Sequence, residues 1–258
     1  MTNGAIVVGP ALGAVLVLFV ALGAAVLWLG GLGRGRAIVS AAVRAAVQLA
    51  AVSLVIVAVL RSGWWTALFV LLMFAVAAVT SARRIGVPRR GPGFGWTAVA
   101  IGAGVVPVLA VVLAAGVLPL RPVAVVPIAG IVIGGAMSAT SQAGRRALDE
   151  LETRHGEYEA ALALGFTPRL AALEICRPSA SQALIPALDQ TRTVGLVTLP
   201  GAYVGVLLGG AGPVQAGVTQ LLVLIGLLAA EAVSVLVTVQ LVAAGGLSRA
   251  ARPGARCR

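Results

Sequence analysis

The sequence predicts an all-α polytopic membrane protein. It has about seven transmembrane helices, an outside N-terminus, a cytosolic C-terminus and one helical docking loop in the cytosol. Three observations lead there. The 258 residues are 60% hydrophobic and only 10% charged, with a mean hydropathy of +1.05, whereas a soluble globule carries about 25% charged residues. The apolar residues gather into seven runs, each near the ~20 residues that cross the hydrocarbon core as helix. The arginines fall in the gaps between those runs, with the bias that orients membrane proteins.

The first run spans 5–29. No basic residue precedes it, so it reads as a retained span rather than a cleaved signal peptide. The second, 38–60, carries Arg44 and Gln48. The third, 64–80, opens on Trp64 and Trp65, and the fourth, 96–118, on Trp96; indole rings prefer the headgroup zone at span ends. The fifth, 123–141, holds Gly130, Gly134, Met137 and Ser138, and the sixth, 193–209, holds Pro200, Gly201, Gly205 and Gly209. Glycines four apart share one helix face and admit close backbone approach. They serve packing within the protomer, or a dimer seam. Pro200 removes an internal hydrogen bond and permits a kink or break. The seventh run, 217–244, carries Gln220, Glu231, Ser234 and Thr238.

Seven spans with an outside N-terminus put Arg34 and Arg36 in the cytosol, then Arg83, Arg84, Arg89 and Arg90, and later Arg145, Arg146, Arg154, Arg169 and Arg177. The tail adds Arg249, Arg252, Arg256 and Arg258, while the external gaps hold only Arg61 and Arg121. The net charge of +11 comes from arginine alone, since the chain has no lysine. It follows span boundaries rather than one face, which argues against nucleic acid as partner. Cys176 and Cys257 form no CxxC pair, and a cytosolic setting disfavours a disulfide.

One segment breaks the apolar pattern. Residues 142–190 carry seven of the eight acidic residues, namely Asp149, Glu150, Glu152, Glu157, Glu159, Glu174 and Asp189. The alanine-rich stretch after Glu159 favours helix, and Gly165 suits the left-handed turn past its end. Thr167-Pro168 then supplies an N-cap and a proline at the first helical position. The second helix passes Cys176 and is expected to end before Pro178. This gives helix, glycine turn, helix, with small side chains that let another protein approach closely. The chain is thus expected to be one permease domain, 1–258, with a coupling loop at 142–190 between the fifth and sixth helices.

That loop resembles the signature loop of ABC importer membrane subunits: Glu-Ala-Ala, three residues, Gly, nine residues, Ile-x-Leu-Pro. Glu159, Ala160, Ala161, Gly165, Ile175 and Pro178 match in type and spacing, and Arg177 replaces the leucine. Over about residues 44–242 the chain also resembles the permease of the bacterial iron-export ABC transporter, and plant aluminium-tolerance membrane proteins. The carriers are Arg44-x-x-x-Gln48-Leu49, Pro127-Ile128-Ala129-Gly130, Gly134-Gly135-Ala136-Met137, Leu162 to Pro168 including Phe166 and Thr167, Gly195 to Gly201, Pro213 and Gln220. Members commonly have asparagine where this chain has Gly135. The resemblance implies a homodimeric membrane half in the cell membrane, paired with a separate ATP-binding subunit that docks on 142–190 and moving metal outward. The chain itself would bind no cofactor. Without lysine it cannot form a Walker-A loop, so ATP and Mg²⁺ belong on the partner.

Arg44 and Glu231 are the clear mid-span ionisable residues, and intramembrane charge is a functional candidate by default. Arg44 can snorkel to the cytosol. Glu231 shares a helical stripe with Gln220, Ser234 and Thr238, which either lines a transport path or packs between helices. The candidate path therefore comprises Arg44, Gln48, Met137, Ser138, Pro200, Gly201, Gln220, Glu231, Ser234 and Thr238. The metal ligands are unknown: the single histidine, His155, lies in the loop, and one intramembrane carboxylate is thin for a bare transition metal. A complexed metal or an unrelated solute stays open, as does an ATP-independent carrier or channel. An intramembrane hydrolase lacks a nucleophile–histidine pair, and a retinal receptor lacks its lysine.

Overall fold

A computed structural model of the chain describes residues 9–88 and 93–249. Arg89, Arg90, Arg252, Arg256, Cys257 and Arg258 lie outside them. Ten α-helices occur among the described residues: α1 (Pro10–Leu29), α2 (Gly35–Arg61), α3 (Gly63–Ile85), α4 (Gly93–Ala114), α5 (Pro122–Thr153), α6 (His155–Ala163), α7 (Pro168–Ser181), α8 (Ile185–Thr193), α9 (Gly201–Leu208) and α10 (Pro213–Ala243). Six of them, α1 to α5 and α10, are long and apolar enough to cross a membrane. The contacts divide the chain into two units, residues 1–61 and 62–258.

The first unit is a helical hairpin. Gly31 and Gly33 take left-handed φ of +67° and +64° in its turn, which an L side chain resists. Gly23 brings α1 against Ile38 of α2, where an added Cβ would lie 3.2 Å from the isoleucine.

The second unit is built around α10. Close contacts fix the helix directions. A Cβ at Gly135 of α5 would meet Leu227 and Glu231, and one at Gly144 would meet Thr238 at 3.4 Å, so α5 and α10 run parallel. Gly130 faces Met73 and Gly144 faces Ile85, which makes α3 parallel to them. Gly104 of α4 abuts Ala230 and Ser234, while Gly93 abuts Gly246, so α4 runs the other way. Small residues at these crossings let the backbones meet without the hydrophobic drive available in water. Two apolar clusters follow. One, at the end carrying the acidic segment, contains Ile85, Ala143, Cys176, Val239 and Leu247. The other, toward the opposite end, contains Ile101, Val105, Val132, Ile133 and Val223.

Two expectations need correction. The apolar run at 193–209 is not one helix: residues 194–200 are irregular, and α9 has only eight residues. At 1.5 Å per residue that is about 12 Å of helix. Because α5 and α10 are parallel, the chain between them must return along the bundle, and α8, the irregular stretch and α9 form that discontinuous limb. Pro200 sits at its restart as the N-cap of α9. The second correction concerns α7, which passes through Pro178 to Ser181. Proline forfeits one helix hydrogen bond, but buried Cys176 and Ala180 anchor this helix on the core on either side of it.

Candidate functional site

The acidic segment forms an elbow standing on the ends of α5 and α10. Helix α6 closes in a Schellman arrangement: the Phe166 amide donates to the Ala161 carbonyl at 3.1 Å and the Gly165 amide to that of Leu162 at 3.0 Å. The motif needs a left-handed residue, and Gly165 supplies it with φ +90°. Thr167 caps α7 by accepting the Leu170 amide at 3.4 Å, with Pro168 at the first helical position. Four residues, Gly165 to Pro168, thus end one helix and start the next.

The turn projects. Leu164 is 80% exposed, Leu170 52% and Phe166 46%, with Glu159, Ala160 and Gly165 also exposed beside the half-buried Ala161. Glu159 lies 3.3 Å from His155 Nε2, and His155 stacks on Tyr158. Arg154 pairs with Glu157, and the hydrogen bond from that guanidinium holds the Glu157 carboxyl below its usual range. The second half of the matched spacing behaves differently: Ile175 is buried, while Arg177 and Pro178 are exposed on α7.

Behind the turn, α7 is riveted to both long helices. Ser179 donates to Glu150 of α5 at 2.7 Å, the Cys176 thiol to the Ala147 carbonyl at 3.5 Å, and Arg169 to Gln240 of α10 at 2.6 Å. Arg146 reaches Gln182 at 3.1 Å. A latch that sequence reading missed closes the assembly. Arg249 donates to Asp149 at 2.6 Å and Glu152 at 3.1 Å, and to the carbonyls of Ile85 and Arg145 at 3.3 Å. Partial burial works against that charge, but the two carboxylates outweigh it and leave the guanidinium pKa above its ordinary value. Contacts across 100 residues leave no local spacing signal.

The stripe on α10 is buried as a unit: Gln220, Glu231, Ser234 and Thr238 are all shielded. It does not line one channel. Glu231 faces the bare backbone of Gly135, Ser234 faces Gly104, and Thr238 faces Gly144 and bonds its own helix at the Ser234 carbonyl, 2.6 Å away. Gln220 lies apart, in a cleft of about 350 Å³ beside the irregular stretch and Pro200. Gly201 borders a neighbouring cavity of about 480 Å³ with Pro127 and Thr219. Met137 and Ser138 are half-buried on α5, and the Met137 carbonyl accepts from Ser141 at 2.6 Å. In the first unit, Arg44 and Gln48 lie with Arg36 and Ser40 along one exposed face of α2. Sequence reading also missed the buried Ser81–Ser141 hydrogen bond of 3.2 Å and Thr97, which bonds the Ala78 carbonyl at 3.2 Å. No three His, Cys, Asp or Glu side chains cluster as metal ligands among the described residues.

The rice UPF0014 membrane protein STAR2 is 36% identical over 193 residues, which cover 74% of this chain and 67% of that protein. The Arabidopsis thaliana protein ALUMINUM SENSITIVE 3 is 35% identical, over 66% of this chain and 62% of its own length. The Escherichia coli probable iron export permease protein FetB is 36% identical over 54% of this chain and 53% of its own. The chain thus matches about two thirds of the length of the plant relatives and about half of the bacterial permease. No solved structure matches. The family resemblance read from the sequence therefore holds, and the apolar helices belong to a multi-pass membrane protein. With residues 11–245 matching the uncharacterised protein family UPF0014, the chain belongs to that family.

Proposed function

We propose that this chain is the membrane-spanning permease subunit of an ABC transporter, coupled through its elbow to a separate ATPase and exporting metal. One observation carries the reading. A glycine turn bearing exposed Leu164 and Phe166 projects from the bundle end while the helix behind it is bonded to both α5 and α10. A push on Gly165 is delivered through α7 to the two parallel helices at the core of the second unit, which is what a lever requires. ATP and Mg²⁺ sit on the partner, and two copies of this chain complete the membrane half. The elbow faces the cytosol, and the discontinuous limb makes the seventh crossing. The metal substrate comes from likeness to the bacterial iron-export permease alone.

The decisive experiment is co-expression with an ABC ATPase from the same genome and co-purification, followed by ATPase and metal-efflux assays in proteoliposomes. Gly165→Asp and Glu159→Lys are expected to abolish the pairing while the protein stays inserted and folded. Purification of the wild type without any ATPase, with normal transport by both variants, would make the chain an autonomous carrier.

A further inference from the structure

The discontinuous limb holds chemistry that coupling does not use. The Thr193 carbonyl accepts the amides of Leu196, Val197 and Thr198 at 3.2, 2.9 and 3.5 Å, and the Thr198 carbonyl accepts that of Gly195 at 2.9 Å. The N–H groups of residues 195–198 are thereby satisfied. The carbonyls of the break are not: those of Val194, Gly195, Leu196, Val197 and Leu199 accept no hydrogen bond from any described residue. Helix α8 ends at this point, adding the negative end of its dipole.

A second observation, on a different helix, points the same way. Gln220 is only 5% exposed, and its Oε1 has no hydrogen-bond partner. It lines the same cleft of about 350 Å³ as Gly195, Leu199, Pro200 and Tyr203. Gln220 lies about 10 Å along the axis from the start of α10 at Pro213. Irregular backbone at membrane depth persists only where protein buries it or where it borders water. Leu196 and Val197 are 90% and 77% exposed on a single copy of the chain.

We propose that this cleft binds the transported cation with its water shell intact, the carbonyls of Val194, Gly195 and Leu199, which line it, and Gln220 Oε1 accepting hydrogen bonds from the coordinated waters. This deepens the metal-export reading and rests on it. Bare transition metals select imidazole, thiolate or carboxylate, and the cleft lining has none. Neutral carbonyl and amide oxygens suit the strongly polarised O–H groups of an aquated ion, with no ligand of the metal exchanged.

Val194→Cys and Leu199→Cys, each with Cys176→Ala and Cys257→Ala, test the cleft in proteoliposomes of the full chain alone. A charged, membrane-impermeant methanethiosulfonate is expected to label both, and to spare Val106→Cys on the exposed apolar face of α4. Hexaamminecobalt(III), whose ligands do not exchange, is expected to protect both cysteines. Apparent affinities of Mn²⁺, Co²⁺, Ni²⁺ and Zn²⁺, read on the cysteine-free chain as competition for bound hexaamminecobalt(III), should agree within about threefold, because outer-sphere contact ignores the Irving–Williams order. Gln220→Leu should weaken protection about tenfold, the scale of one hydrogen bond to a charged group, and Gln220→Glu should restore it. Absence of labelling, affinities climbing steeply from Mn²⁺ to Zn²⁺, or protection by neutral polyols alone would each overturn the proposal. Elbow variants that uncouple the ATPase while the cleft stays unlabelled would sink this inference and leave the permease reading standing. Labelling and protection in a chain that pairs with no ATPase would do the reverse.

Discussion

At the scale of single residues, glycine decides how close the helices of the second unit come. Gly134 and Gly135 are adjacent, yet only one is constrained: a Cβ at Gly134 meets nothing within 4 Å, while one at Gly135 meets Leu227 and the Glu231 carboxyl. Gly134→Ala is therefore expected to stabilise by up to ~1 kcal/mol through helix propensity, and Gly135→Ala to destabilise by about 1–3 kcal/mol through overpacking. Thermal unfolding in detergent reads both; equal shifts would refute the packing seen at Glu231. A side chain as large as asparagine at 135 would need α5 and α10 farther apart than they lie here. Cys176 tests the elbow's root in the same way. Burial, with Glu150 adding to it, pushes its thiol up to about 11. The raised value keeps the thiol protonated at pH 8, and its stabilising effect is lost only as pH rises from about 9 toward about 11. Iodoacetamide at pH 8 should leave Cys176 of a Cys257→Ser variant unmodified until the protein is denatured; prompt alkylation would mean that α7 lifts from α5.

At the scale of elements, the elbow was legible in the sequence because its signals are local. Gly165, Thr167 and Pro168 each name a backbone role, and the structure places them at the C′, N-cap and first-turn positions expected. Where local rules failed, tertiary contact outweighed them. Pro178 would end an isolated helix, but α7 continues because its buried side chains hold it on both sides of the proline. The run at 193–209 failed differently: hydropathy measures length in apolar residues and cannot tell a continuous helix from two short ones joined by a turn. Pro200 marked the place without fixing the outcome. The cap is separable from the turn. Thr167→Ala should cost about 1 kcal/mol and fray the first turn of α7, lowering ATPase coupling in proportion, whereas Thr167→Ser should preserve it. Equal coupling in both variants would show that the first turn of α7 carries no force.

At the scale of the molecule, charge and helix direction make independent statements about topology. Arginine bias assigns sides from the sequence alone. Helix direction comes from side-chain contacts, with α3, α5 and α10 all running toward the acidic elbow and α4 running away. Arg83 and Arg84 close α3 at the elbow end, while Arg121 opens α5 at the other, the placement that the proposed cytosolic elbow requires. The proposed topology requires the limb from α8 to α9 to return across the bilayer despite its break, since two parallel crossing helices cannot be joined by a chain that stays on one side. The site residues on α10 were legible as a polar stripe, but their division between helix crossings and an open cleft was not, because it depends on which glycine of which neighbour faces each side chain. The topology yields a direct measurement. In right-side-out vesicles of a cysteine-free variant, Arg121→Cys should react with an impermeant maleimide, and Glu152→Cys and Asp189→Cys should react only after permeabilisation. Reaction of Arg121→Cys and Glu152→Cys from the same side would mean that α5 does not cross, and the lever and the discontinuous limb would both lose their place in the membrane.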